Sequence, residues 1–309
     1  MDWGSLPTPS HLPSGDWGNP LDDEDHSEPK DINDAAPFRY SPIQSREREI
    51  RILYLRGSHG GNGIPTGVLK DQYLHSKPEY IALSYVWGDS TERLPIFLNG
   101  HRFFVGLNLY SALEHLRQRA GSHELFIAIW IDAVCINQED NEEKGSQVQM
   151  MGDIYSSSLF TLSWLGPEAD DSDLAIKALD YIGEQCLDHP DGPALQERHE
   201  LFTKILPPDQ SSLPLRFPAD AVVALLSRPY WRRIWIVQKV ILPPTVFVVC
   251  GEAITTLGAL GVGFVALFEL PMLNSTLGGS LTSRIQPLAP VMKCDPRLIQ
   301  AALGQSVEK

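Results

Sequence analysis

The chain has 309 residues, of which 43% are hydrophobic, a composition typical of a globular protein with one large domain or two small ones. Its formal net charge is -14, from 25 lysines and arginines against 39 aspartates and glutamates. Because nucleic acids and anionic membranes are polyanions, this charge argues against non-specific binding to either.

Residues 1–37 are predicted to form a disordered acidic leader. The segment combines prolines with a run of acidic residues between Asp22 and Asp34, contains the single cation Lys30, and shows no apolar periodicity. It also lacks the cationic segment followed by an apolar run that marks a secretory signal. We therefore expect the folded domain to begin near Phe38.

Four short apolar runs predict strands. The first covers residues 50–55 and ends in a loop, residues 57–63, that lacks the Gly-Lys-Ser/Thr ending of a phosphate-binding loop and is interpreted as a turn. Buried strands are predicted at residues 80–86, 125–131 and 159–165, since each run is short, apolar and followed by turn residues.

Amphipathic helices are predicted between and after these strands. One covers residues 108–120, and a second covers residues 142–157. The buried face predicted for the second helix carries Val148, Met151 and Tyr155. A third helix begins at Asp171, Ser172 or Asp173. This alternation predicts an α/β fold with a parallel sheet, right-handed crossovers and helices on both faces.

The last part of the chain gives weaker signals. Helices are predicted at residues 219–227 and 231–240, a strand at 246–250, and a weakly determined C-terminal segment at 252–309. The longest uncharged stretch lies between Glu252 and Glu269, and it is shorter than the roughly 20 residues that a bilayer span needs. We interpret it as core or interface and expect no membrane span.

The cysteines and histidines do not predict a metal site. The four cysteines, including Cys135, are widely spaced without a Cys-x-x-Cys pair, and the histidines show no ligand spacing. A reducing, cytoplasmic environment therefore fits best. Cys135 with Asp132 and a histidine could form a nucleophilic centre, but no histidine lies near Cys135 in sequence, so a buried structural thiol is favoured.

The ends of the strands predict where a ligand would bind. In parallel α/β sheets, ligands bind beyond the carboxyl ends of the strands. The pocket candidates are Ser84, Trp87, Gly88, Asp132, Asn137, Gln138 and Trp235. For Trp87 a core position is favoured over ligand contact, since tryptophan is usually mostly buried. Glu142 and Glu143 fall in a first helical turn, where the helix dipole favours carboxylates, and both capping and ligand contact stay open.

Three strings carry a family resemblance. They are YIALSYVWGD (residues 80–89), IWIDAVCINQEDNEEKGSQVQMMGDIYSSS (129–158) and SRPYWRRIWIVQKV (227–240). In this order they resemble the signature blocks of the fungal heterokaryon-incompatibility (HET) domain, over residues 38–251 or about two-thirds of the chain. The resemblance implies fungal non-self recognition (allorecognition), an innate-immunity-like process in which HET proteins trigger growth arrest or programmed cell death. It also implies a module that acts through self-association or protein partners.

The HET pattern is also distantly similar to the TIR fold, a parallel flavodoxin-like sheet. Some TIR domains cleave NAD with a glutamate in a Trp-Cys-x-x-Glu helix, and the equivalent spacing here runs from Trp235 to Lys239. A cation beside a developing positive charge opposes cleavage by about 4 kcal/mol at 4 Å and an effective dielectric of about 20. The resemblance makes NAD a candidate ligand or substrate, although we expect no required cofactor. Because of Lys239, activity as an NAD glycohydrolase is disfavoured. Glu143 is the alternative carboxylate for such chemistry.

Overall fold

The computed structural model describes residues 32–44, 47–58, 63–88, 91–120, 126–187, 218–232, 239 and 241–269. These residues belong to two compact units. One unit contains the described residues of Pro13–Pro167 and Leu242–Thr245, and the other contains those of Glu168–Ile241 and Val246–Lys309. Within the described ranges, no helix combines the length and the apolar character needed to cross a bilayer.

A mixed sheet forms the centre of the first unit. Its strands are β1 (Glu49–Arg56), β2 (Thr66–Tyr73), β3 (Ile81–Ser84), β4 (Arg93–Leu98), β5 (His101–Gly106), β6 (Phe126–Trp130) and β7 (Thr161–Trp164). They lie in the order β5-β4-β2-β1-β6-β3-β7. The α/β class predicted from the sequence is confirmed.

The parallel arrangement that was predicted holds for only part of this sheet. β3 pairs in parallel with β6 on one side and with β7 on the other. β1, in contrast, runs antiparallel to both β2 and β6, and β4 runs antiparallel to β5. Short connections explain the β1–β2 and β4–β5 pairs, because a parallel pair needs a long crossover whereas an antiparallel pair can be joined by a hairpin.

Helices cover both faces of the parallel strands, as predicted. α1 (Leu107–Ala120) places the His115 ring 5.1 Å from the Trp164 ring, and α3 (Asn141–Ser157) places the Tyr155 ring 5.6 Å from the Trp130 ring. In the sheet, Trp130 of β6 lies opposite Ala82 of β3, and Ala82 lies opposite Thr161 of β7. Trp164 follows Thr161 by three residues. Because side chains alternate along a strand, the two tryptophans point to opposite faces.

The buried face of α3 differs from the predicted one. Val148 is 42% exposed, and the buried residues of the helix are Glu143, Gln147, Met150, Ile154 and Tyr155. Among the three predicted residues only Tyr155 is buried. Gln147, which hydropathy alone assigns to the surface, lies inside, where its Nε2 donates a hydrogen bond to the Glu49 carbonyl at 2.8 Å.

β5 forms one edge of the sheet. An Asn99-Gly100 turn joins it to β4, with φ angles of 49° and 73° at the two turn residues, as two-residue hairpins of the I′ type require. On its outer side, Arg102 donates to the Ala36 carbonyl and accepts from the Phe38 amide, both at 2.9 Å. Residues 36–38 thus pair with the edge, whereas most of the predicted leader lies outside the described residues.

The second unit is described by three helices and a hairpin. The helices are α4 (Ser172–Leu187), α5 (Ala219–Leu226) and α6 (Leu257–Glu269), and the hairpin pairs β8 (Val246–Cys250) with β9 (Ala253–Thr256). α4 and α6 touch backbone to backbone, because a Cβ on Gly183 would lie 1.9 Å from the Ala259 carbonyl oxygen. Buried Leu260 and Phe264 agree with the core interpretation of this uncharged stretch. β9 and α6 fall in the segment that the sequence left weakly determined.

Candidate functional site

The carboxyl ends of β3 and β6 lie side by side, because the two strands are parallel neighbours. Beyond them, the Trp87 Nε1 donates a hydrogen bond to the Asp132 Oδ1 at 3.0 Å. Asp132 is buried at 8% exposure and begins the short helix α2 (Asp132–Cys135). Two candidates that are 45 residues apart in the chain therefore form one unit at this edge.

Trp87 is not a core residue, so the favoured core interpretation is wrong. The side chain is 42% exposed. Its indole N–H requires a polar partner and finds one in Asp132, which anchors the ring at the surface. Gly88 follows with a φ of +73°, a left-handed conformation that glycine adopts without strain. The pair thus ends the strand and presents an aromatic surface to solvent.

Asn137 and Gln138 lie in the loop after α2, and their polar groups hold that loop in place. Gln138 Nε2 donates to the Asp132 carbonyl at 2.7 Å, and the Asn137 amide donates to the Glu143 Oε1 at 2.7 Å. Asp140 then caps α3 by accepting from the amides of Glu142 and Glu143, at 2.9 and 3.1 Å. The first turn of α3 is therefore fixed to the loop.

Glu143 forms a buried ion pair with Arg51 of β1. Arg51 Nη1 contacts the Glu143 Oε1 at 2.6 Å and Nη2 contacts the Oε2 at 3.1 Å, a bidentate geometry. Arg51 and Glu143 are 2% and 6% exposed. The same guanidinium donates to the carbonyls of Cys135 and Ser41, at 3.1 and 2.6 Å. Sequence reasoning missed Arg51, although a charged residue within an apolar strand was a usable signal.

Tyr40 and Asp71 complete the surroundings of Arg51. The Arg51 Cζ lies 4.9 Å from the Tyr40 ring centre, and the Tyr40 hydroxyl donates to the Val134 carbonyl at 2.8 Å. Burial raises the pKa of Tyr40 above its usual range. The Asp71 Oδ1 lies 3.5 Å from the Arg51 Nε, and burial raises the pKa of this carboxyl although Arg51 acts to lower it. Arg51 thereby connects β1 to the loop, to α3 and to β2.

Asn108, in α1, connects β7 to the carboxyl end of β3. Its Nδ2 donates to the Val86 carbonyl at 2.6 Å, and its Oδ1 accepts from the Trp164 Nε1 at 3.0 Å. It therefore joins the carboxyl ends of β3 and β7, a role that sequence reasoning did not anticipate. Ser84, in contrast, lies within β3 at 1% exposure, opposite Ser163 in the register.

The sequence also singled out Cys135, Trp235 and Lys239. Burial raises the pKa of the Cys135 thiol to about 12, and the residue is fully buried, which agrees with the predicted structural thiol. No group of three histidine, cysteine or acidic side chains suited to a metal ion occurs among the residues the structure covers. Trp235 falls outside those residues. Lys239 is described and buried, at 6% exposure.

An open cleft of about 480 Å³ borders the first turn of α3, and neither Trp87 nor Asp132 lines it. Its lining residues are Pro42, Ile43, Gln44, Glu47, Asp140, Glu142 and Glu143. The acidic side chains that line it would repel the phosphates of a dinucleotide.

Comparison with known proteins gives one family and one named relative. Residues 80–239 match the family described as heterokaryon incompatibility protein (HET). The chain is similar to heterokaryon incompatibility protein 6, OR allele, of Neurospora crassa, with 37% identity over 202 residues. That match covers 58% of this chain and 30% of the relative, so the chain spans less than a third of the relative's length. No solved structure matches the chain. Because the family match extends over more than half of the chain, from the residue before β3 through the Trp87–Asp132 pair to Lys239, this chain belongs to the heterokaryon incompatibility (HET) protein family.

Proposed function

We propose that this chain acts in fungal non-self recognition as a module that signals growth arrest or cell death through contacts with other proteins. Membership of the HET family supports the recognition role, and the relative from Neurospora crassa is named for heterokaryon incompatibility. The module acts inside the cell in this proposal, where hyphal fusion mixes the contents of two strains.

The Arg51–Glu143 ion pair is the observation that favours protein contacts over NAD cleavage. Both carboxylate oxygens of Glu143 are held by the guanidinium, and the Oε1 also accepts from the Asn137 amide. A carboxylate in this position must break a buried ion pair before it can stabilise a developing cation on a substrate. Glu143 is therefore suited to fixing the fold.

The two other charged candidates support the same conclusion. Asp132 accepts the indole N–H of Trp87, which gives this carboxylate a role in presenting the ring. The buried Lys239 stands at the position where the resemblance to TIR domains implies a glutamate. A cation there opposes the charge that develops when the glycosidic bond breaks. The exposed Trp87 is, in contrast, a residue type enriched at protein interfaces.

Conditional expression of the full chain in a filamentous fungus tests the recognition role. Expression should slow hyphal growth and raise the uptake of a vital dye in proportion to the protein level. A Gly183→Leu variant serves as the control, because a side chain at Gly183 collides with the Ala259 backbone and disrupts the second unit. Growth that stays normal at matched levels of the folded wild-type protein contradicts the proposal.

Incubation with NAD tests the enzymatic alternative separately. Purified wild-type protein should release no more nicotinamide than a buffer control, as measured by chromatography. Release by the wild-type protein would refute a non-enzymatic role. In the Lys239→Glu variant, a gain of cleavage would show that a pocket is present and that only the catalytic carboxylate is missing.

A further inference from the structure

One face of the β4–β5 hairpin combines an exposed aromatic ring with two arginines. Because side chains alternate along a strand, Arg102, Phe104 and Gly106 belong to the same side of β5. The register places Arg93 of β4 opposite Gly106, and residues that lie opposite each other share a face, so Arg93 belongs to this side as well. We call the surface formed by Arg93, Arg102 and Phe104 the hairpin face.

The hairpin face is open to solvent between its two arginines. Phe104 is 45% exposed although it is a large apolar residue. A Cβ on Gly106 would lie 3.2 Å from the Trp87 carbonyl oxygen, so the Trp87 backbone packs against the same face just beyond Phe104. The Trp87 side chain is itself 42% exposed. Exposed aromatic residues in one region of a surface are typical of protein interaction sites.

The backbone edge of β5 is occupied, so a partner meets the hairpin face through side chains. Arg102 donates its amide to the Ala36 carbonyl and accepts from the Phe38 amide, both at 2.9 Å. After Gly106 the chain enters α1 at Leu107. These contacts leave no room for a further strand along β5, whereas an element laid across the hairpin face reaches Phe104 and the arginines directly.

The charge of the hairpin face indicates which side chains such an element carries. Neither Arg93 nor Arg102 forms an ion pair with a carboxylate of the described residues. The chain as a whole has a net charge of -14, so two arginines around an exposed aromatic ring stand out on an acidic molecule. Acidic side chains complement this face, and basic ones are repelled.

The positions of the two arginines set the spacing of those acids. Arg93 lies opposite Gly106, four residues after Arg102, which separates the arginines by about 13 Å along the strand. Seven residues of an α-helix advance about 11 Å, and long arginine side chains cover the difference. Two acids at i and i+7 lie on one side of a helix, and apolar residues at i+3 and i+4 lie between them on that side, over Phe104.

We infer that the hairpin face binds an amphipathic helix of a partner protein, with acids at positions i and i+7 and apolar residues at i+3 and i+4. The apolar pair packs on Phe104, and the acids pair with Arg102 and Arg93. Binding of this kind rests on the proposed role in protein contacts. Peptide binding is measured apart from the fungal growth assay, so either can fail while the other holds.

Fluorescence anisotropy tests this binding with the full chain and a fluorescein-labelled, alanine-rich peptide of about 20 residues that carries the pattern Glu-x-x-Leu-Leu-x-x-Glu. We expect it to bind at least about ten-fold more tightly than a peptide with lysines in place of the glutamates. Phe104→Ser should weaken binding by about ten-fold, because it removes the apolar contact. Leu159→Ser is the matched control and should bind like the wild type, since Leu159 is 43% exposed but donates its amide to Tyr80, at the opposite end of β3 from Trp87.

A charge swap tests the two arginines directly. In the variant Arg93→Glu/Arg102→Glu the preference should reverse, so that the lysine peptide binds at least about ten-fold more tightly than the glutamate peptide. A gain of binding to one peptide cannot come from misfolding. Loss of binding to both peptides by a variant with unchanged circular dichroism contradicts the charge argument.

Four other outcomes would overturn the inference. Equal binding of the glutamate and lysine peptides by the wild type removes the role of charge, and equal binding of a peptide whose second glutamate is moved from i+7 to i+5 removes the helix spacing. Sedimentation that shows a dimer lost in Phe104→Ser assigns the hairpin face to a second copy. Peptide binding that rises only after Asp22, Asp23, Glu24 and Asp25 are changed to their amides assigns it to the acidic leader of the chain itself.

Discussion

Replacement of Glu143 by glutamine should destabilise the first unit strongly. The change leaves the Arg51 guanidinium buried, at 3% side-chain exposure, without the carboxylate that it contacts at 2.6 Å. Removal of one partner from a buried ion pair costs about 3–5 kcal/mol. Asp71, 44% exposed and 3.5 Å from Arg51, compensates in part for the lost charge. We therefore expect Glu143→Gln to lower the free energy of unfolding by about 3 kcal/mol, the lower end of this range. Urea unfolding followed by circular dichroism measures the change.

A surface pair provides the matched control. Arg48 and Asp153 also form an ion pair, at 2.5 Å, but their side chains are 49% and 58% exposed. Asp153→Asn should therefore cost less than about 1 kcal/mol. The double variant Arg51→Met/Glu143→Leu should lose less unfolding free energy than the single variants Arg51→Met and Glu143→Leu lose together, because neither charge is left buried without its partner. If Glu143→Gln lowers the free energy of unfolding no more than Asp153→Asn does, the Arg51–Glu143 ion pair does not stabilise the fold in the way described.

Three further predictions concern single residues. Gly183→Ala should lower the free energy of unfolding by about 2 kcal/mol or more, because the new Cβ would collide with the Ala259 carbonyl. Gly145→Ala should raise the free energy of unfolding by about 0.5–1 kcal/mol, because Gly145 lies in a helix and a Cβ there has no neighbour within 4 Å. Burial raises the pKa of the Cys135 thiol from 9.0 to about 12, so above pH 9 the folded state keeps a proton that the unfolded chain releases. The free energy of unfolding should therefore keep its full value below pH 9 and fall by up to about 1.4 kcal/mol per pH unit above it. In Cys135→Ala this fall should be less steep. Trp87→Phe removes the donor to Asp132 and should cost about 1 kcal/mol in urea unfolding, and an unchanged midpoint would contradict the anchoring role.

Apolar runs predicted the parallel part of the sheet well. β3, β6 and β7 lie within the three runs that the sequence marked as buried strands, and β3 and β6 are neighbours as expected. Every residue of β3 and β7 is buried, and strands covered on both faces give continuous apolar runs. The direction of β1 could not be predicted in this way, since burial does not distinguish parallel from antiparallel neighbours.

Buried polar residues account for most of what the sequence did not reveal. Gln147 and Arg51 are fixed by partners that lie 98 and 92 residues away in the chain, the Glu49 carbonyl and the Glu143 carboxylate. A hydropathy pattern assigns such residues to the surface, and only their partners explain their burial. Trp87 shows the opposite case, because its size predicts burial whereas its hydrogen bond to Asp132 holds it outside.

The contacts at the carboxyl edge form one continuous path from the core to the surface. Arg51 holds Glu143, Glu143 accepts the Asn137 amide, and the adjacent Gln138 donates to the Asp132 carbonyl. Asp132 in turn accepts the indole N–H of Trp87. An exposed side chain usually loses about 0.5–1.5 kcal/mol of rotamer freedom when a partner immobilises it. Because the Trp87 indole is anchored to the buried Asp132, part of that loss is already met during folding, so the proposed role in protein contacts predicts a smaller entropic cost for this ring than for an unanchored one.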